Sequence, residues 1–256
     1  MLTPEQISHY EIFGFVFLPQ AFSADEVATI TEAFDTLLDQ DRQGQPFPGV
    51  KRQSFYGIAE HSPALMKLLV DDRIYAAVEQ LLGPDFVWLN SEGNLYVGDT
   101  NWHPDGTRLL YPPIKVSLYL DSLHKESGCM RVIPGSHRLP FHESLKAIHQ
   151  LGIPGSAVPA YPCESRPGDV LFMNMNLWHS SFGGAVGRRH LAVNFAPAPI
   201  TPEQQEIFLQ NYRGVIGQIQ RLQTTQSNRA TTDEFLYSDH PRLQRLAAKW
   251  LEYGLR

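Results

Sequence analysis

Between Phe86 and Pro197 the chain is a series of short apolar or alternating runs separated by Gly, Pro, Asn and Asp. No other feature restricts the fold as much. Runs at 86–89, 94–97, 115–120, 129–133, 169–173 and 190–195 each have the length of a strand. Strands this short and this regularly punctuated pack into a sandwich or a barrel. Helical patterns stand on both sides. Thr3, Pro4 and Gln6 form a helix start, and a short strand at 15–19 follows Gly14. Ser23 and Glu26 form a capping box, and Val27, Ile30, Phe34, Leu37 and Leu38 then recur at helical spacing. Two more such patterns run through Leu65, Leu68 and Leu69 and through Ile74, Val78 and Leu82, ending at Gly83-Pro84. A possible helix at 143–150 interrupts the strands, and 203–212 and 241–255 are helical beyond them. The expectation is an α+β chain with a β core at about 86–198, flanked by helices at both ends, with 1–256 as a single domain.

Composition removes several function classes. Lys and Arg total 21 against 27 Asp and Glu, a net charge of −6, and no basic run exceeds two residues. A nucleic-acid partner is therefore not expected. No apolar stretch approaches a membrane span, and the first residues lack the pattern of a signal peptide. The expectation is a cytoplasmic protein with no membrane partner. Cys129 and Cys163 have no CxxC spacing and read as two reduced thiols. Oligomeric state is not legible.

The sharpest local feature is Trp102-His103-Pro104-Asp105-Gly106. On an extended segment, residues two apart point to the same side, so one imidazole and one carboxylate can converge on a metal ion. A barrel brings distant strands together, and His179 in Trp178-His179-Ser180-Ser181 is the candidate third ligand. Two histidines and one carboxylate with open positions are the ligand set of non-haem Fe(II) oxygenases. Arg188 follows His179 by nine residues and offers a bidentate fork for the carboxylate of a cosubstrate. Its neighbour Arg189 points the opposite way on a strand. The same three ligands also suit a zinc hydrolase or a non-catalytic cupin-like protein that binds a metal or small molecule.

His103-Pro104-Asp105, the run from Gly128 to His137 containing Ile133-Pro134-Gly135-Ser136, Pro167-Gly168-Asp169-Val170-Leu171-Phe172 and Trp178-His179 occur in that order. This ordered set resembles the phytanoyl-CoA dioxygenase family of Fe(II)/2-oxoglutarate-dependent oxygenases, over roughly residues 3–198. The resemblance implies a double-stranded β-helix, the jelly-roll or cupin-like barrel. It implies Fe(II) on His103, Asp105 and His179, with 2-oxoglutarate and O2 as cosubstrates. It implies Arg188 on the distal carboxylate of 2-oxoglutarate, with Ser181 and Asn94 as further contacts. The presence of Asp105, where halogenases of this scaffold carry a small residue, favours hydroxylation or a related oxidation. The implied reaction oxidises an unactivated C–H bond of a small-molecule substrate and releases succinate and CO2.

Further expectations follow for the surroundings. Asn90 and Glu92 share the Asn94 face by alternation. Trp102, Trp178, Phe172 and Tyr119 are candidate walls of a dry cavity. Lys115, Arg108 and Arg131 are candidate contacts for an anionic substrate. The Gly/Pro-rich segment 43–57, with Lys51-Arg52, is a candidate lid. His124, His137, His142, His149 and His190 read as ordinary histidines.

Overall fold

The computed structural model of the protein describes residues 1–106, 111–222 and 229–256. Capping chemistry sets the first elements. Helix α1 (Pro4–Phe13) starts where Thr3 and Gln6 cap each other's backbone. It stops at Gly14, whose φ of 86° turns the chain into strand β1 (Phe15–Leu18). Helix α2 (Ala24–Asp41) repeats the device with Ser23 and Glu26, and buries Val27, Ile30, Phe34 and Leu38 along one face. Strand β2 (Gln53–Tyr56) and helices α3 (Pro63–Val70) and α4 (Asp72–Leu82) follow.

The β core comprises β3 (Phe86–Tyr96), β4 (Thr100–His103), β5 (Ile114–Tyr119), β6 (Met130–Val132), β7 (Tyr161–Cys163), β8 (Val170–Asn174), β9 (His179–Ser181) and β10 (Arg188–Pro197). Between β6 and β7 lie the short helix α5 (Phe141–Ser144) and two 3-10 turns. Helices α6 (Pro202–Leu222), α7 (Asp233–Leu236) and α8 (Pro241–Glu252) complete the chain.

Two antiparallel sheets result. The larger has the order β1-β8-β5-β10-β3-β2 and the smaller β4-β9-β6-β7. From β3 to β10 the chain passes back and forth between them, which is the winding of a double-stranded β-helix. The expected α+β class with a β core holds. Helices cover the larger sheet. Phe34, Leu65, Ile74, Trp88, Phe195, Phe208, Leu246 and Trp250 belong to one buried cluster linking α2, α3, α4, α6 and α8 to it. The Trp250 indole donates to the Trp88 carbonyl at 2.9 Å, so the ring is buried without orphaning its N–H.

Three differences from the sequence expectation have physical causes. The runs at 86–89 and 94–97 are one strand, β3. The polar stretch between them does not break it, because Asn90, Ser91 and Glu92 find partners in Asn194, Glu60 and Lys115. Helix α6 runs past 212 to Leu222 despite Gly214 and Gly217. Burial of Phe208, Val215 and Ile219 outweighs the helix cost of about 1 kcal/mol per glycine. The candidate lid ends in β2, which pairs Gln53 to Leu95 and Tyr56 to Glu92 at the sheet edge. No helix among the described residues is long and apolar enough to cross a membrane.

Candidate metal centre

Strand register assembles the site. In the small sheet β4 runs antiparallel to β9 with His103 opposite His179. Their rings lie side by side, with centroids 4.4 Å apart. Asp105, two residues beyond His103, turns its carboxylate back between them. Its Oδ1 is 3.6 Å from His103 Nε2, and its Oδ2 is 3.6 Å from His179 Nε2. One ligand atom from each residue lies within 4.8 Å of the others.

The far side of each ring is pinned. His103 Nδ1 is 2.7 Å from the Asn101 carbonyl, and His179 Nδ1 is 2.9 Å from that of Leu177. A carbonyl only accepts, so each Nδ1 carries the proton and each Nε2 turns a lone pair to the carboxylate. Such outer partners fix the tautomer of metal-binding histidines. Burial pushes His179 down to about 4, so it is neutral at pH 7. Burial also opposes the charge on Asp105, but Lys115, His179 and His103 outweigh it and hold the carboxyl well below its usual range. Burial opposes the charge on His103, but Asp105 outweighs it and holds His103 above its usual value, so a cation arriving there displaces a proton. Two imidazole Nε2 atoms and one carboxylate, oriented before any ion arrives, fit a divalent cation such as iron.

The three residues open into a cavity of about 260 Å³ that lies between the two sheets, with Glu92, Lys115 and Tyr119 on the larger and Met130 and Ser181 on the smaller. Arg188, at the start of β10, is 6% exposed and faces into it. Its Nη1 donates to the Gly128 carbonyl at 2.5 Å and to Ser181 Oγ at 2.8 Å, and its Nη2 donates to the Gly98 carbonyl. Glycine makes this possible. A Cβ on Gly184 would stand 2.1 Å from Nη2, and one on Gly128 2.4 Å from Nη1. No carboxylate of the described residues lies within 4.0 Å of Arg188. Arg189 points outward as expected, to Asp35 at 2.9 Å and Asp121 at 2.7 Å.

Lys115 also lines the cavity. Its Nζ is 2.8 Å from both Glu92 Oε1 and Asp105 Oδ2. Burial opposes its charge, but the two carboxylates hold it protonated. Two other candidate cations differ. Arg131 donates to the carbonyls of Ser156 and Lys125, and Arg108 lies outside the described residues.

Several expectations need correcting. Asn94 stands behind the lining. It is fully buried, accepts from Ser54 Oγ at 2.7 Å and donates to Glu92 Oε2 at 3.4 Å. Strand β2 closes over it, so the expected cosubstrate contact has no counterpart in this geometry. Asn90 is taken by Asn194 and Asn211, whereas Glu92 does line the cavity. Of the four expected walls only Tyr119 faces inward. Trp102 and Trp178 neighbour the two histidines in sequence and therefore point to the opposite face, where they pack with Ile133 and Phe182. Phe172 belongs to the core beneath the helices.

His190 was not anticipated. It is buried against the cavity, bonds Ser117 Oγ through Nε2 at 3.0 Å and lies 4.8 Å from the Tyr119 ring. Burial, then Lys115, pushes it down to about 3. The signal was present, since Arg188 and His190 are two apart on one strand and share its inner face. Lys115 and Tyr119 share the inner face of β5 in the same way.

Comparison with known proteins agrees with this geometry. The family model described as phytanoyl-CoA dioxygenase (PhyH) matches residues 10–189. The ectoine dioxygenase of Bordetella parapertussis is 24% identical over 216 residues, 70% of each chain. Among solved structures, HygX from Streptomyces hygroscopicus with nickel and 2-oxoglutarate bound superposes with a TM-score of 0.64 at 22% identity, covering 77% of this chain and 88% of HygX. EctD from S. alaskensis superposes with a TM-score of 0.61 at 24% identity, covering 77% of each chain.

Proposed function

The chain belongs to the phytanoyl-CoA dioxygenase family and is by that membership an Fe(II)- and 2-oxoglutarate-dependent dioxygenase, and we propose that it oxidises an unactivated C–H bond of a small molecule, releasing succinate and CO2. One observation carries the reading. A histidine–aspartate–histidine set with both Nε2 atoms turned inward shares a cavity with a buried guanidinium that has no carboxylate partner among the described residues.

His103, Asp105 and His179 would hold the iron. Bound there, it supplies O2 activation coupled to oxidative decarboxylation of the 2-oxo acid. The chain's own work is binding and orientation. Arg188 would receive the distal carboxylate of 2-oxoglutarate with the one Nη2 N–H that its protein partners leave over, and Ser181 Oγ, 2.8 Å from Nη1, holds the guanidinium in place with the carbonyls of Gly98, Gly128 and Ala185. Lys115 steadies the carboxylate of Asp105 through Oδ2. Asn94 acts one layer out, by fixing Glu92. Tyr96, Tyr119 and His190 wall the cavity and leave room for a small substrate.

The test is succinate formation from 2-oxoglutarate with Fe(II), ascorbate and air. Wild type turns over, and His103→Ala and Arg188→Gln do not. Absence of turnover in wild type, together with no Fe(II)-dependent binding of 2-oxoglutarate, would overturn the reading.

A further inference from the structure

We propose that the substrate carries an oxyanion, a carboxylate or a phosphate, and that Arg52 at the cavity rim receives it; this rests on the dioxygenase reading above.

Tyr96 stands between two guanidinium groups. Arg188 Cζ lies 5.6 Å from its ring centroid and Arg52 Cζ lies 5.4 Å from it. The first cation is buried and the second exposed, and both line the same cavity. Tyr96 thus divides the cavity into an inner and an outer cationic seat. The position of Arg52 follows from strand pairing. It directly precedes β2, whose first residue Gln53 pairs with Leu95, so Arg52 falls beside Tyr96.

A charge inventory of the lining separates the two seats. The cations are Arg52, Lys115 and Arg188, and the anions are Glu92 and Asp105. Lys115 is satisfied by both carboxylates at 2.8 Å. A divalent metal and the dianionic cosubstrate cancel each other, with the distal carboxylate on Arg188. The lining as a whole keeps one positive charge, and Arg52 is its exposed cation. Outside the cavity Arg73, Arg189, Arg213, Arg229, Arg242 and Arg245 each meet a carboxylate, whereas Arg131, Arg138 and Arg221 meet carbonyl oxygens; what sets Arg52 apart is that it lines the cavity. Among the described residues no carboxylate stands within ion-pair distance of Arg52. A guanidinium steadied on an aromatic face and facing a concave, partly dry site is suited to a planar or tetrahedral oxyanion. The cavity, about 260 Å³, lies below the usual ~300–1,000 Å³ of small-molecule sites. The part of the substrate that enters the cavity is therefore compact.

The experiment is calorimetric titration of the full chain loaded with Ni(II), in which no turnover intervenes. 2-Oxoglutarate is titrated first. With it bound, size-matched sets of short-chain carboxylates, phosphate monoesters, alcohols and primary amines follow, on wild type, Arg52→Gln and Arg52→Lys. Carboxylates or phosphate monoesters are expected to bind, and whichever set binds identifies the oxyanion. Arg52→Gln is expected to weaken them about ten- to hundredfold. Arg52→Lys should recover part of the loss, and 2-oxoglutarate affinity should move by no more than about twofold. Binding of alcohols or amines as tight as that of the anions, anion binding unchanged in Arg52→Gln, or binding of 2-oxoglutarate with no member of any set overturns the proposal alone. Failure of 2-oxoglutarate to bind overturns the dioxygenase reading and the proposal together.

Discussion

Replacing Glu60 by Gln should make the protein more resistant to unfolding above neutral pH while changing little near pH 5. Glu60 is 1% exposed beneath the larger sheet, and its carboxylate accepts from the Trp88 indole at 2.9 Å and from the Ser91 hydroxyl. Those donors favour the ionised form, but burial outweighs them and pushes the carboxyl up to about 7 from 4.5. The folded state therefore holds this proton more tightly than the unfolded chain. The stabilisation is fully present below the unfolded value and is lost as pH rises through about 7. At ~1.4 kcal/mol for each pH unit between the two values, the loss is on the order of 3 kcal/mol by pH 8. Gln keeps the volume and an acceptor oxygen but cannot ionise. Urea unfolding of both proteins from pH 5 to 8.5 measures the difference directly. The stability of wild type relative to the variant should fall by that amount, a midpoint separation of about 1–3 M. A difference that is flat across this range, or one that grows in favour of wild type at high pH, would show that the donors dominate and burial does not.

Gly184→Ala places a methyl 2.1 Å from Arg188 Nη2 and 2.4 Å from the Gly98 carbonyl, so it should lower thermal stability and weaken 2-oxoglutarate about tenfold or more; a folded variant that binds 2-oxoglutarate as tightly as wild type would refute this placement of Arg188. Trp250→Ala empties a fully packed position beside Trp88 and should cost about 3–5 kcal/mol in denaturant unfolding, with Trp250→Phe costing clearly less. Lys115→Met leaves Glu92 and Asp105 without their shared cation and should destabilise the metal-free protein by about 3–5 kcal/mol. Adding a divalent metal to that variant should restore part of the loss, a gain read from melting temperature in a metal titration.

The cluster of His103, Asp105 and His179 was legible because the chemistry of the residue types and a spacing of two did not depend on details of the fold. His103 and Asp105 needed only an extended backbone, and His179 needed only some fold that returns a distant strand. Arg188 and Arg189 were separable for the same reason. Lys115 and His190 were harder, because the phase of a strand must be known before its inner face can be named. Once Arg188 is known to point inward, His190 follows. The polar run in β3 looked like a break because partners such as Glu60 and Lys115 lie far along the chain. Asn94 failed through strand β2, which the sequence disguised within a Gly/Pro-rich segment. The aromatic walls failed through simple alternation, since a tryptophan adjacent to a metal-binding histidine on a strand faces away from it.

The paired arginines at the head of β10 have a consequence for which changes this chain can tolerate. Arg188 faces the cavity, and Arg189 is locked outside by Asp35 and Asp121. If the strand slipped by one residue, the outer arginine would enter the cavity and two carboxylates at the surface would lose their cation. The loop before β10 is tied to the same register, because Gly184 in it packs on Arg188 Nη2 and the Ala185 carbonyl accepts from Arg188 Nε. A single deletion inside β10 should therefore forfeit both the fold and the cation in the cavity at once, and a deletion at Gly184 should release the cation.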